Sequence, residues 1–196
     1  TPVFSIDLST GKVSNQKQSG RCWMFAALNT FRHKLLNQFR LKEFELSQNY
    51  TFFWDKYEKA NYFYENIIAT GNDALDSRKV AFLLTTPQQD GGQWDMIVSL
   101  FQKYGVVPKS VMPESANSSN SRDLNNYLNK LLRKDATVLR EMIAGGETAE
   151  AIQAKKEEML EGIYQFLAIS LGTPPKEFDF EYRDEEKNYH IDQQLT

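Results

Sequence analysis

The single cysteine of this sequence, Cys22, is the side chain best suited to covalent chemistry. It lies in "SNQKQSGRCWMF", where a polar loop gives way to an apolar run with helical spacing. A thiol attacks as the thiolate, which is favoured at a helix N-terminus or beside a cationic histidine. Because Ser19 and Gly20 precede the apolar run as suitable helix-start residues, we expect Cys22 in the first turn of a helix.

A nucleophile that attacks a carbonyl also needs hydrogen-bond donors for the oxyanion that forms. The backbone N–H of Cys22 is one candidate, and the side-chain amide of Gln16, six residues earlier and returned by a tight loop, has the chemistry of a second. The alternative interpretation is structural, because free cysteine is among the most buried residue types. In that case Cys22 only fills space in a core.

Three segments resemble one family of enzymes. "NQKQSGRCWMF" is similar to the active-site segment of papain-like cysteine peptidases, and more narrowly to that of the aminopeptidase C and bleomycin hydrolase family; "ELSQNYTFFWDKYEKANYF" and "DGGQWDM" match that family as well. The resemblance implies that Cys22 is the nucleophile and Gln16 the oxyanion donor. It also places Gly91 and Gly92 along the substrate cleft, where the small size of glycine lets the main chain of Gly92 pair with a peptide.

A cysteine peptidase also needs a histidine base oriented by an asparagine. His33 follows Cys22 by eleven residues, about 16 Å along one helix, which is too far to reach the thiol. His190 does not resemble the family's base segment, and we expect it to be a surface or partly buried polar residue. The resemblance implies that the catalytic histidine and asparagine come from a later domain. We therefore expect an internal portion of a longer enzyme that is inactive alone.

Hydrophobic spacing predicts a mainly α chain, as part of an α+β papain-like cysteine peptidase fold with short strands at its ends. The expected helices are 22–39, 47–68 with Ser47 as N-cap, 77–84, 94–104, 121–144 and 148–171, with strands within 1–13 and at 178–182. The stretch "VVPKSVMPESANSSNS" has no helical period and marks the best internal boundary. We expect a nucleophile-bearing domain at 1–105, and a linker, a helical insertion and the start of the following segment at 106–196.

The composition limits the classes of partner. The 196 residues are 41% hydrophobic and 25% charged, which is typical of a folded domain, and the net charge of −3 gives no electrostatic reason to expect nucleic acid or an anionic membrane. The apolar runs are too short to span a bilayer. A single cysteine favours a reducing, cytoplasmic location. No metal-ligand spacing or phosphate-binding loop is present in the sequence, so we expect neither a metal nor a cofactor.

These patterns support one leading hypothesis and two others. The leading one is a cysteine aminopeptidase that removes N-terminal residues from peptides through a thioester, and the resemblance implies a homohexamer for the full-length protein. One alternative is a non-catalytic helical interaction domain, in which Cys22 is buried and the aromatic helix at 47–68 is a docking face. The other is an endopeptidase or acyltransferase of the papain fold, because a nucleophile and an oxyanion donor do not specify the acyl acceptor.

Overall fold

The structure is a computed structural model that describes residues 12–41, 43–184, 186 and 188–195. Its helices, in chain order, are α1 (Cys22–Gln38), α2 (Gln48–Ala69), α3 (Arg78–Thr85), α4 (Trp94–Tyr104), α5 (Ala116–Ser119), α6 (Arg122–Ala144) and α7 (Ala149–Leu171). Two strands follow, β1 (Glu177–Arg183) and β2 (Tyr189–Leu195). The expected mainly α fold is confirmed. None of the described helices is long and apolar enough to cross a membrane.

Local chemistry sets the ends of the helices. The Ser47 hydroxyl accepts a hydrogen bond from the backbone N–H of Tyr50 at 3.0 Å, which confirms Ser47 as the N-cap of α2. Gly105 and Gly172 follow α4 and α7 with φ of 71° and 97°. Residues with a Cβ rarely adopt a positive φ, so glycine at these two positions lets the backbone turn away after each helix.

Helix α2 lies at the centre of the molecule and packs against α1, α3, α4, α6 and α7. One face of α2 is fully buried, and its apolar residues include Phe53, Ala60, Tyr64 and Ile67. One hydrophobic core continues from Leu28 on α1, across this face, to Leu128 on α6 and Ile163 on α7. The expected helical hairpin, α6 and α7, therefore shares its core with α1 and α2, while the domain division after residue 105 stays a prediction.

Two elements were not expected from the sequence. Strand β2 pairs antiparallel with β1, with Phe178 opposite Gln194. Because 189–195 is largely polar, its strand character comes from this backbone pairing and not from an apolar alternation. Helix α5 is a single turn inside the segment taken as a boundary. The strand expected within 1–13 falls mainly on residues outside those described, as does the side chain of His190.

Candidate active site

Cys22 is the first residue of α1 and its side chain is exposed. The first amides of a helix have no partner within the helix, so they and the helix dipole favour negative charge at this position. The N-cap is Arg21, whose side chain makes no capping bond. The expectation that Ser19 starts the helix is therefore wrong, because its hydroxyl donates to the Gln16 carbonyl and accepts from Arg21 Nε, both at 2.7 Å.

Gln16 lies in the loop that leads into α1. Its side-chain oxygen Oε1 is buried and has no hydrogen-bond partner among the described residues. The loop is attached to a distant part of the chain, because Gln18 N donates to the carbonyl of Ser119 at 2.9 Å and Ser121 N donates to the carbonyl of Gln18 at 3.3 Å. The structure thus fixes the main chain of this loop beside the start of α1, while the role of Gln16 as an oxyanion donor stays a prediction.

Gly91 and Gly92, whose place along a substrate cleft stays a prediction, differ in their surroundings. A Cβ added to Gly92 would lie 2.5 Å from Cζ2 of Trp23, whereas one added to Gly91 would meet no atom within 4 Å. The Trp23 indole is held in place, since its Nε1 donates to the backbone carbonyl of Asp90 at 2.8 Å. The structure therefore brings Gly92 against the residue that follows Cys22, and only Gly92 must lack a side chain for this contact.

Lys59 on α2 also holds the loop that contains Gly91 and Gly92. Its ammonium donates to the carbonyls of Gln89 at 2.9 Å and Gly91 at 2.8 Å, and it pairs with the buried carboxylate of Asp55 at 2.8 Å. The same ammonium lies 5.5 Å from the centre of the Trp23 ring, a cation–π distance. No local pattern indicates this role of Lys59, because Lys59 and Gly91 are 32 residues apart in the chain.

Asp90 connects the same loop to three other parts of the fold. Its nearly buried carboxylate accepts hydrogen bonds from Gly20 N at 3.0 Å, from Asn125 Nδ2 at 2.7 Å and from the Ser121 hydroxyl, and it pairs with the buried Lys56 ammonium at 2.7 Å. Burial by itself would raise the pKa of Asp90, but the Lys56 charge and these hydrogen bonds outweigh burial and hold that pKa well below its ordinary value. Asp90 is therefore ionised at neutral pH.

His33, the histidine whose side chain the structure describes, does not reach the thiol. His33 lies on α1 three turns beyond Cys22, and its Nε2 is 3.2 Å from Nδ2 of Asn37 on the same helix. This agrees with the expectation that His33 is not the base.

The structure disagrees with both expectations of the alternative hypothesis, a non-catalytic interaction domain. Its thiol was expected to be buried, but the Cys22 side chain is exposed. Its docking face was expected on the aromatic helix, but Phe53 and Tyr64 are fully buried in the core. The burial of these rings stabilises the fold and leaves their face of α2 closed to a partner.

Comparison with known proteins decides the family. A family model described as the Peptidase C1-like family matches residues 1–196, the whole chain. The chain belongs to the Peptidase C1-like family. Aminopeptidase C of Streptococcus thermophilus is 67% identical over 99% of the chain, and Aminopeptidase C of Lactobacillus helveticus is 60% identical over all of it. The crystal structure of PepW from Lactobacillus rhamnosis HN001 covers the whole chain at 65% identity with a TM-score of 0.96.

Membership of this family confirms the resemblance stated on the sequence motifs, and the likeness to PepW confirms the fold. The chain spans 44% of the S. thermophilus protein, 43% of the L. helveticus protein and 44% of PepW. These relatives are thus more than twice as long as the chain. The Peptidase C1-like relationship supports a cysteine peptidase, and the exposed Cys22 is the only thiol the chain offers to that chemistry.

Proposed function

We propose that the complete protein to which this chain belongs is a cysteine aminopeptidase, and that this chain carries its nucleophile and its oxyanion donor. The observation that carries the proposal is an exposed Cys22 at the first residue of α1, in a chain 67% identical to a protein named Aminopeptidase C. Exposure and a helix N-terminus are the two features that separate a reactive cysteine from a buried structural one.

In the proposed reaction the Cys22 sulfur attacks the carbonyl carbon of the first peptide bond of the substrate. The carbonyl π electrons move to oxygen, and the resulting oxyanion accepts hydrogen bonds from the Cys22 backbone N–H and the Gln16 side-chain amide. The oxyanion collapses, the C–N bond breaks, and the leaving amine takes a proton. The N-terminal residue is then held as a thioester, which water hydrolyses to release the acid and regenerate the thiol.

The proton carrier in this scheme is a histidine that the family resemblance places in the remainder of the polypeptide. It takes the thiol proton, gives it to the leaving amine, and then activates the water. The chain itself contributes the substrate's backbone contact at Gly92, in a loop whose Gly91 carbonyl is already occupied by Lys59. A peptide therefore meets main chain that the fold holds in a fixed position.

The decisive experiment compares the complete protein with its Cys22→Ser variant on a peptide with a free N-terminus and on the same peptide acetylated. We expect the normal protein to release only the N-terminal residue of the free peptide, and the variant to lose at least about 10³-fold in kcat/KM. Activity retained in Cys22→Ser would remove the nucleophile assignment. Internal cleavage of the acetylated peptide would instead indicate an endopeptidase, and transfer to an added amine without hydrolysis would indicate an acyltransferase.

The isolated chain is a second test of the proposal. Because the proposed histidine base lies in the remainder of the polypeptide, and His33 is three helical turns from Cys22, we expect the purified 196-residue chain to show no turnover on the free peptide. Turnover that disappears in Cys22→Ala would contradict this expectation. Hexameric assembly and a cytoplasmic location are further parts of the proposal, and sedimentation of the complete protein as a monomer would contradict the first.

A further inference from the structure

A buried arginine stands directly before the proposed nucleophile. The Arg21 side chain has no exposed surface, and its guanidinium lies 5.1 Å from the centre of the Phe25 ring and 5.0 Å from that of Phe52. A cation removed from water needs partners for its donors. Nη1 and Nη2 donate to the two carboxylate oxygens of Glu114 at 3.0 and 2.8 Å, so the plane of the guanidinium is fixed.

The third nitrogen of this guanidinium, Nε, connects it to the loop that carries Gln16. Arg21 Nε donates to the Ser19 hydroxyl, and that hydroxyl donates to the Gln16 carbonyl, each at 2.7 Å. A hydroxyl has one proton to donate, and the bond from Nε directs that proton toward Gln16. The main chain at Gln16 is thereby linked through one side chain to the buried ion pair.

Glu114 belongs to segment 114–121, which we call the clamp segment. The clamp segment also binds the loop through the main chain, because Gln18 N donates to the Ser119 carbonyl and Ser121 N donates to the Gln18 carbonyl. Loop 16–19 is thus held by two backbone hydrogen bonds to the clamp segment and by the hydrogen bond from the buried guanidinium to Ser19. Both restraints depend on a segment about 100 residues away in sequence.

The backbone next to Gln16 needs such restraint. Lys17 has a φ of 56°, in the left-handed region that residues other than glycine rarely occupy, and such positions persist only where their surroundings impose them. Within the described part of the chain, no group forms a hydrogen bond with Gln16 Oε1. No hydrogen bond from the described residues to Oε1 fixes the orientation of the Gln16 amide, so the position of the Gln16 backbone sets where that amide can reach.

We propose that Arg21, Ser19 and Glu114 are positioning residues, which hold Gln16 where its amide donates to the oxyanion. The proposal rests on the proposed function, in which Gln16 is that donor. The oxyanion exists only in the transition state and the tetrahedral intermediate, so loss of positioning lowers kcat and leaves KM nearly unchanged.

The test is a double-mutant cycle in the complete protein. Arg21→Lys keeps the charge but loses the two-bond fork, and Ser19→Ala removes the hydroxyl link; each is made alone and together with Gln16→Ala. We expect Gln16→Ala to lower kcat about 10²-fold or more, and each positioning variant alone to lower it about 10-fold or more. Added to Gln16→Ala, each should cost less than about threefold. Arg78→Lys, at an exposed arginine of α3, is the matched control.

Two further measurements separate positioning from general damage. The rate at which iodoacetamide alkylates Cys22 should stay at its normal value in Ser19→Ala, because that reaction forms no oxyanion for Gln16 to bind. Melting temperatures identify any variant that fails to fold; if Arg21→Lys does, Ser19→Ala decides the question, since it changes no charge.

The outcomes that overturn the proposal are distinct from those that overturn the proposed function. Equal losses of kcat with and without Gln16→Ala, a normal kcat in Ser19→Ala, or alkylation that slows in step with kcat each reject the positioning role. A normal kcat in Gln16→Ala alone rejects Gln16 as the oxyanion donor, and the positioning role falls with it. None of these results rejects the cysteine peptidase itself, which retained activity in Cys22→Ser would reject.

Discussion

Gly92 shows how a single missing side chain shapes the candidate site. The indole of Trp23 occupies the space where a Cβ would be, and Trp23 is bonded to Cys22 through the main chain. The neighbouring Gly91 has open space at the same position. Glycine is therefore required for steric reasons at position 92 and not at position 91, although the two residues are adjacent in the sequence. One substitution at each position tests this difference.

Gly92→Ala should impair the complete protein strongly. The added methyl overlaps the Trp23 ring, so the indole and the adjacent Cys22 must shift, and we expect kcat/KM to fall about 10- to 100-fold. Peptide hydrolysis assays measure this, with Gly162→Ala as the control, because a Cβ on that α7 residue meets nothing within 4 Å. Gly91→Ala should lose less than Gly92→Ala. Equal losses at the two cleft glycines would contradict the steric explanation.

Sequence reasoning found the site residues that stand in one contiguous motif and missed those that act across the fold. Cys22 and Gln16 could be proposed together because both stand in one short motif, six residues apart, that resembles the family's active-site segment. The partnership of Arg21 with Glu114 joins positions 93 residues apart, and that of Gly20 with Asp90 joins positions 70 apart. No periodicity or composition encodes such pairs, since neither residue alone indicates the distant partner that the fold brings to it.

At the scale of elements, Asp90 joins the loop before α1 to the helices α2 and α6. Lys56 contributes from α2, Asn125 from α6, and Gly20 from the loop itself. A carboxylate buried with this many donors is stable only when it is ionised. The loop before α1 is therefore held to α2 and α6 by one negative charge, and that charge has no role in the proposed reaction.

Asp90→Asn should destabilise the complete protein at pH 7 by about 3–5 kcal/mol, because it leaves the Lys56 ammonium buried without its closest counter-charge. The pKa of Asp90 is lower in the folded than in the unfolded state, so its stabilisation is present above the unfolded value of about 4 and is lost as the pH falls below it. The stability difference between normal protein and variant should thus shrink from pH 5 to pH 2. Urea unfolding measures this.

The exposed Asp76→Asn is the control for charge removal, and it should change stability by less than about 0.5 kcal/mol at every pH. A stability difference for Asp90→Asn that does not depend on pH would show that packing, and not ionisation, explains its cost.

Most elements could be predicted because the helices are long and amphipathic and begin or end with caps. Helices α1, α2, α3, α4, α6 and α7 and strand β1 were all expected within a few residues. Helix α5 was missed because one turn is too short to show a period, and its capping box of Ser115 and Ser118 lies in a serine-rich run. Strand β2 was missed because a polar strand is defined by its partner.

At the scale of the molecule, the hairpin of α6 and α7 shares one core with α1 and α2. Leu128 on α6 is fully buried in the same cluster as Met24 on α1 and Phe53 on α2. A continuous core of this kind is expected to unfold as one cooperative unit.

Leu128→Ala tests whether this core unfolds as one cooperative unit. We expect the cavity to lower the free energy of unfolding of the complete protein by about 2–5 kcal/mol. Hydrogen exchange should then show faster exchange of amides in α2 as well as in α6. Ile169→Ala, which truncates an exposed α7 side chain, should leave both unchanged. Faster exchange confined to α6 and α7 would instead support a separate domain after residue 105.

The turn at Gly145 and Gly146 has a practical consequence. Helix α6 starts at Arg122, beside the clamp segment, and its 23 residues carry this turn about 34 Å away. A Cβ on Gly146 would meet no other atom within 4 Å. The turn is thus the place to insert a fluorescent protein or to open new chain termini by circular permutation, whereas the serine-rich clamp segment, which looks like a linker in the sequence, tolerates neither.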